Sequence, residues 1–493
     1  MATAFVFSAL GARRRSRLVA ALVACLALVQ LLSGCDDYSA PAFPGAQGFG
    51  AFSLGGRGGR VIEVTNLDDV DSTGATVPGS LRAAIEAKGP RTVVFRVSGT
   101  IDVCETNRAL VVSEPYITIA GQTAPGSGVA LRLDPSCASS TLTIETHDVI
   151  LRYLRLRPGW TPALGDNGDA LTAAGPDVHD IMIDHCSFSW ASDEDVDISW
   201  GANNVTVQYS IISEGLLNAP RASGPSGGYG MLIAEGGTNG TGRITLHHNL
   251  FAHNYYRNPQ ITIGGLVDFR NNVIYDWALH GLRLMDVYGP PRMNIVGNFA
   301  KAGPTASTTT SVREMWALHS IGYAPFSYFV QDNLGPRRPS SSEPNLDIIY
   351  CREHYEDVDN SGIDCDPSAY ATSVAFPASP VTTTSPAVAY DAVLQDAGAT
   401  LPRRDAVDTR IVNDVRNGTG GDISDPTAVG GWPSLTSATP PMDSDHDGMP
   451  DAWETQYGLN PFDASDAAFD ADSDRYTNLE EFLNSTNPLV RDP

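Results

Sequence analysis

The chain has almost no lysine. Only Lys88 and Lys301 occur among its 493 residues, so arginine supplies nearly all of the 32 basic side chains. Aspartate and glutamate together number 57, and the formal net charge is −25 at pH 7. Nucleic-acid binding needs a basic face against the phosphates, so we expect no nucleic-acid partner. An anionic ligand is compatible with this charge when a cation bridges it to the protein.

The apolar run Leu18–Leu32 is too short and too close to the N-terminus to span a bilayer in the mature protein. It follows four basic residues, as in a secretory signal: Arg13, Arg14, Arg15 and Arg17. It ends in LSGC, which resembles a bacterial lipoprotein lipobox with Cys35 as the lipidated residue, and an ordinary cleaved signal is the alternative. We predict a signal peptide at 1–34, a tether at 35–41, export to the cell envelope or beyond, and membrane contact only through the N-terminal lipid anchor.

Cysteine is scarce too, with seven residues. Export permits disulfides, and five cysteines remain once Cys25 and Cys35 in the N-terminal segment are set aside. Among the three connectivities that four cysteines allow, we favour Cys104–Cys137 and Cys351–Cys365, because each pair is close in sequence or flanks adjacent strands. The fifth, Cys186, is expected in the core.

Glycine (47) and proline (33) are abundant, which favours a turn-rich β protein. Short β segments recur from Tyr116 onward. When these segments are aligned on their apolar residues, five residues fall at equivalent positions: Cys186, Ser210, Asn249, Asn272 and Asn298. Steps of one coil with variable loops predict an all-β solenoid, a parallel β-helix, with a β-sandwich as the competitor. Several residues that resemble ligands are then expected in the ladders and turns of the scaffold: His185, His247, His248, Asn249, Asn271 and Asn272.

The C-terminal stretch carries two acidic loops with calcium-loop spacing. We divide the chain into a β-helix domain at 42–433, a linker at 434–441 and this module at 442–489. The first loop supplies Asp443, Asp445, Asp447, Asp451 and Glu454, and the second supplies Asp470, Asp472, Asp474, Asn478 and Glu481. The spacing resembles thrombospondin type 3 and dockerin-like repeats, which implies calcium binding for stability or attachment. A disordered acidic tail is the alternative.

A third acidic group precedes a lone arginine. Asp169 is expected on one rung, with Asp193 and Asp197 on the next, so the three carboxylates can share one cation. Hard oxygen ligands select Ca²⁺, and no histidine–cysteine cluster has zinc spacing. The alternative is a solvated acidic face. Arg257 follows at a distance, two residues before a proline. Carboxylates that are followed by one positioned cation suggest a metal-assisted site that acts on an anionic substrate.

Five separate motifs resemble a bacterial pectate lyase of polysaccharide lyase family one: AFPGAQGFG, ITIAGQTAPG, LRYLRLRPG, IDHCSFSWASDE and HHNLFAHNYYRNP. The resemblance runs from about Ala42 to Pro433. It implies a right-handed parallel β-helix, with the calcium aspartates at Asp169, Asp193 and Asp197 and the catalytic arginine at Arg257. The implied reaction is β-elimination on α-1,4-linked galacturonate (pectate), with Ca²⁺ as the cofactor. We expect the protein to be a monomer.

Two positions depart from that family. Its second arginine is replaced by Thr262, and its substrate-binding lysine has no counterpart, so Arg221 is the candidate for binding substrate. Alternative functions are a non-catalytic polysaccharide-binding or adhesin solenoid, a lyase for another uronate polymer, a pectin lyase and a glycoside hydrolase on the same fold. A serine hydrolase, suggested only by GPSGG at 224–228, is disfavoured because no strand–helix context surrounds it.

Overall fold

The computed structural model describes residues 40–161, 168–219, 227–234, 242–305, 313–320, 322–356 and 361–492. Pro41–Pro493 form one compact unit. Cys35, Arg221 and the proposed signal peptide lie outside the described residues. Among the helices that are described, none is long and apolar enough to cross a membrane.

Strands dominate the described chain. In chain order they are β1 (Arg60–Val64), β2 (Arg91–Phe95), β3 (Gly99–Val103), β4 (Val111–Val112), β5 (Ile117–Ala120), β6 (Val129–Leu133), β7 (Leu142–Ile144), β8 (Val149–Arg152), β9 (Arg155–Leu156), β10 (Leu171–Ala174), β11 (His179–Asp184), β12 (Ser187–Ser189), β13 (Glu194–Ser199), β14 (Asn203–Gln208), β15 (Ile211–Ser213), β16 (Tyr229–Ala234), β17 (Arg243–His247), β18 (Leu250–Ala252), β19 (Gln260–Thr262), β20 (Leu266–Arg270), β21 (Val273–Tyr275), β22 (Leu282–Met285), β23 (Arg292–Val296), β24 (Phe299–Lys301), β25 (Met315–Ser320), β26 (Ser327–Gln331), β27 (Ile349–Glu356) and β28 (Ser361–Asp364).

These strands form three sheets. The first runs β1-β2-β5-β8-β11-β14-β17-β20-β23-β26, the second β4-β7-β10-β13-β16-β19-β22-β25-β27-β28, and the third β3-β6-β9-β12-β15-β18-β21-β24. Each consecutive trio, from β2–β4 to β23–β25, contributes one strand to every sheet and so makes one coil. Neighbouring strands pair in parallel, for example β10 with β13, and the terminal β27–β28 pair is antiparallel. The expected right-handed parallel β-helix is confirmed.

An amide ladder holds one turn of the stacked coils. The backbone N–H groups of Ser210, Asn249, Asn272 and Asn298 each donate to the side-chain Oδ1 of the asparagine one coil later, at 2.8–3.0 Å. The aligned positions predicted from sequence are therefore stacked as expected, and Asn333 extends the ladder by one coil. Buried backbone donors need such partners because an unmade hydrogen bond away from water is costly.

Apolar side chains from all three sheets fill the interior. Successive coils place residues such as Leu171, Val196 and Met231 in register, all fully buried. Each such side chain contributes roughly 1.5–3 kcal/mol by leaving water. Strand alternation then turns the intervening residues outward, and the outward row of the second sheet is the part that carries the candidate site.

Short helices and two disulfides finish the domain. The helices are α1 (Leu81–Ile85), α2 (Pro386–Asp396), α3 (Ala406–Asn417), α4 (Asp451–Tyr457) and α5 (Asn478–Asn484). Helices α2 and α3 cover the third sheet with an apolar cluster, and buried Arg157 donates to Asp405 and Asp408 of the second of these helices and its N-cap. The predicted Cys104–Cys137 and Cys351–Cys365 bridges are both present, and Cys186 is free and buried.

Candidate functional site

Two adjacent coils of the second sheet bring together the predicted aspartates. Asp169 lies just before β10, while Asp193 precedes β13 and Asp197 lies within it. The register pairs Thr172 of β10 with Asp197 of β13. The structure thus places Asp169 one coil away from Asp193 and Asp197, as the sequence predicts.

The group of clustered ligand oxygens at this place includes Glu194, for which the sequence predicted no role. One carboxylate oxygen from each of Asp169, Asp193 and Glu194 lies within 4.8 Å of the others, and Asp197 stands beside them on the same strand as Glu194. We call these four residues the sheet cluster. Glu194 has almost no exposed surface, so its charge is held inside the site.

Hydrogen bonds position Asp169 in the sheet cluster. Its Oδ2 accepts from the Thr172 hydroxyl at 2.8 Å and from the Ser140 hydroxyl at 3.3 Å. Its Oδ1 accepts from the Glu194 backbone N–H at 3.1 Å. Burial, followed by repulsion from Asp197 and Asp193, nevertheless raises the pKa of Asp169 well above its ordinary value. A nearby cation would remove that penalty.

Asp197 has a buried carboxylate oxygen that a metal ion would satisfy. Burial raises its pKa to about 7, although the Ser199 hydroxyl donates to Oδ2 at 3.0 Å and lowers it. Its Oδ1 is buried and has no hydrogen-bond partner within the described part of the chain. A buried carboxylate oxygen without a partner is costly unless a cation or donor meets it. The oxygen-only donor set fits Ca²⁺.

Arg257 reaches this cluster from two coils further along. Its Nη1 forms an ion pair with Glu194 Oε1. The guanidinium carbon lies 4.1 Å from the ring centre of Tyr229 and 5.2 Å from that of Tyr256. Tyr229 is in register with Glu194 on one side and with Tyr256 on the other. The stacked coils therefore carry acid, tyrosine and arginine in that order along the helix axis.

Thr262, which replaces the second arginine of the family, lies in the scaffold, and another arginine lies nearby. Thr262 is buried, and its hydroxyl donates to the Ile233 carbonyl, so it is part of the scaffold. One coil beyond Gln260, Arg283 occupies the same outward row, and its Nη1 donates to Gln260 Oε1 at 3.0 Å. Sequence reasoning missed Arg283 because it is remote from the arginine motif along the chain.

The histidines expected in the scaffold are held by stacking and hydrogen bonds. The ring of His185 lies between Tyr153 and Tyr209, with centroids at 4.9 and 5.1 Å. Burial lowers the pKa of His248 to about 4 and that of His247 well below its ordinary value. Both rings are therefore neutral near pH 7, as scaffold residues of this type should be.

The tail holds two further acidic clusters. The first tail cluster joins two groups that share Asp447: Asp443, Asp445, Asp447, Glu454 and Asp466. The second joins two groups that share Asp474: Asp470, Asp472, Asp474, Glu481 and Asp492. Asp466 and Asp492 were not predicted. Of the predicted residues outside these clusters, Asp451 accepts from Ser444 N and Oγ, and Asn478 Nδ2 donates to the Asp466 carbonyl.

Several carboxylates of the tail clusters are buried and repel one another, which raises their pKa values. Burial raises the pKa of Glu454 to about 8, with further raising from Asp447 and Asp445. Burial likewise raises the pKa of Asp447 to about 7 and that of Glu481 to about 7. These are the same electrostatic features as in the sheet cluster, and an arginine is close here too, since Arg96 Nη1 lies 3.7 Å from Asp443 Oδ2.

Comparison with known proteins gives relatives along nearly the whole chain. A probable pectate lyase C of Aspergillus terreus is 36% identical over 468 residues, which are 94% of this chain and 98% of that protein. A probable pectate lyase C of Aspergillus fumigatus is 36% identical over 450 residues, or 91% and 94% of the two chains. These relatives are fungal, whereas the motifs had suggested a bacterial enzyme. No family model matches the sequence.

Solved structures with a similar backbone include the major allergen of cedar pollen, at 20% identity, 72% and 92% coverage and a TM-score of 0.45. A Bacillus pectate lyase in complex with trigalacturonate has 16% identity, 71% and 98% coverage and a TM-score of 0.46. The sequence identity to the fungal proteins, which extends over more than nine-tenths of both chains, decides the assignment. This chain belongs to the pectate lyase family.

Proposed function

We propose that the protein is a calcium-dependent polysaccharide lyase that cleaves α-1,4-linked polygalacturonate by β-elimination and leaves 4,5-unsaturated ends. The observation that supports this most directly is the contact between Arg257 and the sheet cluster through Glu194. Buried ion pairs also occur in the scaffold, as between Arg157 and Asp408, but the carboxylate that Arg257 meets belongs to a group of clustered ligand oxygens. Family membership agrees with the same reaction.

Asp169, Asp193 and Asp197 would hold the calcium ion, with Glu194 as a fourth carboxylate close by. Bound calcium supplies positive charge that neutralises a substrate carboxylate and makes the adjacent C5 proton more acidic. The cation also explains how a chain of net charge −25 can hold an anionic polymer. The acidic residues thus bind the substrate indirectly.

Arg257 is the proposed base. It takes the proton from C5, the C5–H electron pair becomes the C4–C5 double bond, and the C4–O bond to the departing sugar breaks. The departing oxygen then takes a proton from solvent. An ion pair favours the charged form of a guanidinium, so the contact with Glu194 must weaken and Arg257 must lose one proton to solvent before it can accept the proton from C5. Glu194 pairs less strongly with Arg257 when it also faces a cation.

The reaction is tested by the ultraviolet absorbance of unsaturated product from the purified protein. The substrates are polygalacturonate, methylated pectin and other uronate polymers, each with calcium and with a chelator. We expect absorbance on polygalacturonate only when calcium is present. If no polymer gives product in calcium, the lyase proposal is wrong and the non-catalytic binding protein is favoured. Activity on a different uronate polymer alone would correct the substrate and keep the reaction.

Other parts of the chain carry separate proposals. We infer that both tail clusters bind calcium, since the loop spacing and the buried carboxylates favour it. We also propose that the protein is exported as a monomer, in agreement with its two disulfides, and that Cys35 is lipidated. Mass spectrometry of the mature N-terminus tests the last point, because a diacylated cysteine has a distinct mass.

A further inference from the structure

Each tail cluster is completed by a carboxylate from outside its loop. Asp466 belongs to the turn between the two loops, yet its oxygen lies within 4.8 Å of ligand oxygens of Asp447 and Glu454. Asp492 follows α5, and its oxygen is equally close to those of Asp474 and Glu481. The two clusters therefore tie together segments that are separate in sequence, in addition to shaping each loop.

The oxygens in these clusters point into sites that call for a ligand. Glu454 is fully buried, and within the described residues neither of its oxygens has a hydrogen-bond partner. The same holds for Asp447 Oδ2 and Asp466 Oδ1 in the first cluster and for Glu481 Oε1 in the second. Buried carboxylates that repel one another need a compensating cation or must take up protons. Oxygen ligands in this number fit Ca²⁺.

The first loop also touches the β-helix directly. A Cβ added at Gly448 would lie 3.2 Å from Val61 of β1 and 3.4 Å from Val94 of β2, so the loop backbone packs closely on these strands. On the same loop, His446 Nδ1 lies 3.0 Å from Glu63, and Asp443 Oδ2 lies 3.7 Å from Arg96 Nη1. Residues of the first tail cluster and residues that contact the first coils thus lie side by side on one loop, and Asp443 belongs to both groups.

The second half of the module adds its own contacts. Arg57 Nε donates to Glu480 at 2.7 Å, and its guanidinium stacks over Tyr476. Arg152 Nη1 donates to Asn484 Oδ1 at 2.6 Å. Beneath these polar contacts, a continuous apolar cluster includes Ala120 and Val61 of the β-helix together with Met449, Leu479 and Leu483 of the module. The interface therefore has an apolar centre and an ion-paired rim.

From these contacts we propose that the tail is a calcium-dependent clasp on the first coils of the β-helix, with Asp466 and Asp492 as the ligands that close its two metal sites. This proposal rests on calcium binding by the tail. Strand β1 is the edge of the first sheet, and terminal repeats of a solenoid need a cover. Calcium fixes the loops in the shape that packs on β1 and β2. Its removal frees the repelling carboxylates, and the clasp opens.

Hydrogen exchange of the full chain tests the clasp. We expect a chelator to speed exchange of β1, β2 and β5 amides by at least ~10-fold while β20 and β23 stay protected, since local opening is confined to the coils that lose their cover. The double variant Glu454→Gln/Glu481→Gln should show the same pattern in calcium, and so should Asp466→Asn/Asp492→Asn. The matched control is Asp193→Asn in the sheet cluster, which should keep β1, β2 and β5 protected in calcium.

Calorimetric titration of the same proteins separates binding from docking. If the double variants bind fewer calcium ions yet β1, β2 and β5 exchange as slowly as in the wild type, the tail binds calcium but the clasp proposal is wrong. If the variants bind as many ions as the wild type, calcium binding by the tail fails as well. Loss of protection in the Asp193→Asn control would also overturn the proposal, because calcium would then act through the sheet cluster. None of these outcomes bears on lyase activity.

Discussion

The sheet cluster and the tail clusters are similar in charge and differ in their surroundings. In both, buried carboxylates repel one another and their pKa values are raised. Beside the sheet cluster stands Arg257, packed on two tyrosines. Beside the tail clusters lie apolar residues that pack the tail on the first coils of the β-helix, and Arg96 pairs with Asp443. Carboxylate spacing therefore predicts a cation site in each region, and the neighbours support the different roles that we propose for that cation, chemistry in the sheet cluster and stability in the tail.

The sharpest division between the two regions should come from Arg257→Ala. We expect kcat on polygalacturonate to fall by about 10²–10⁴-fold, because the base is removed, while the melting temperature changes by less than about 3 °C. Initial rates of ultraviolet absorbance and a thermal melt measure the two effects. Arg60→Ala, at an exposed arginine of β1, is the matched control. Retained activity in Arg257→Ala would show that another group removes the proton.

Glu194→Gln tests the residue that joins the metal site to the base. The variant keeps the shape of the side chain but removes both its ligand charge and the ion pair with Arg257. We expect a calcium affinity lower by about 10–100-fold, so that activity requires more calcium. Titration of activity and of bound calcium against free calcium measures this. An unchanged calcium dependence would remove Glu194 from the site and leave Asp169, Asp193 and Asp197 as its ligands.

The raised pKa values predict how the calcium-free protein responds to pH. An unfolded carboxyl group has a pKa of about 4, whereas the folded values are about 7 for Asp197, Asp447 and Glu481. The folded state therefore binds more protons between these pH values. Its stability, complete below about pH 4, declines as pH rises toward 7. Thermal melts in a chelator should show this decline, and calcium should abolish most of it.

Variants assign that decline to one region or the other. Asp197→Asn should remove only the part that belongs to the sheet cluster, and Glu454→Gln with Glu481→Gln should remove the part that belongs to the tail. Because more carboxylates are clustered in the tail, we expect the tail pair to flatten the profile more. A chelator-treated protein whose stability rises between pH 4 and 7 would contradict the burial of these charges.

Much of this architecture follows from local sequence. The amide ladder was predictable because Ser210, Asn249, Asn272 and Asn298 recur at the same point of each apolar frame, and a coil has one place for such a residue. The adjacency of Asp169 to Asp193 and Asp197 follows from the same frames. Both disulfides follow from spacing along neighbouring strands.

What the sequence does not show arises between distant coils. Alternation along β13 groups Asp193 with Asp197 and gives no role to Glu194, whose partner Arg257 is 63 residues away in sequence but only two coils away in space. Asp466 and Asp492 lie outside the loop pattern for the same reason, since the fold of the module and not the loop register brings them in. The repeated apolar pattern predicts which residues of successive coils are stacked. It predicts side-chain contacts only where the coils are of regular length.

The smallest effect is expected at Arg283, which lies on the same side of the sheet cluster as Arg257. It lies in the outward row that runs from Asp197 through Leu232 and Gln260, three coil steps along. At about 4.8 Å per step, that is ~14 Å from Asp197, so only a substrate of several sugar units can reach both. Loss of one cation that attracts a uronate carboxylate costs about 1 kcal/mol or less.

We therefore expect Arg283→Gln to raise KM for polygalacturonate several-fold, by about 2- to 5-fold for such a charge, and to leave kcat unchanged. The glutamine keeps a donor for Gln260, so the scaffold contact is retained in part. Digalacturonate is the control ligand, because a dimer bound at the sheet cluster is too short to span three coil steps. An equally weakened binding of dimer and polymer would mean that Arg283 shapes the sheet cluster itself. Arg283 would then be a residue of the scaffold, and its distance from Asp197 along the row would not make binding depend on the length of the substrate.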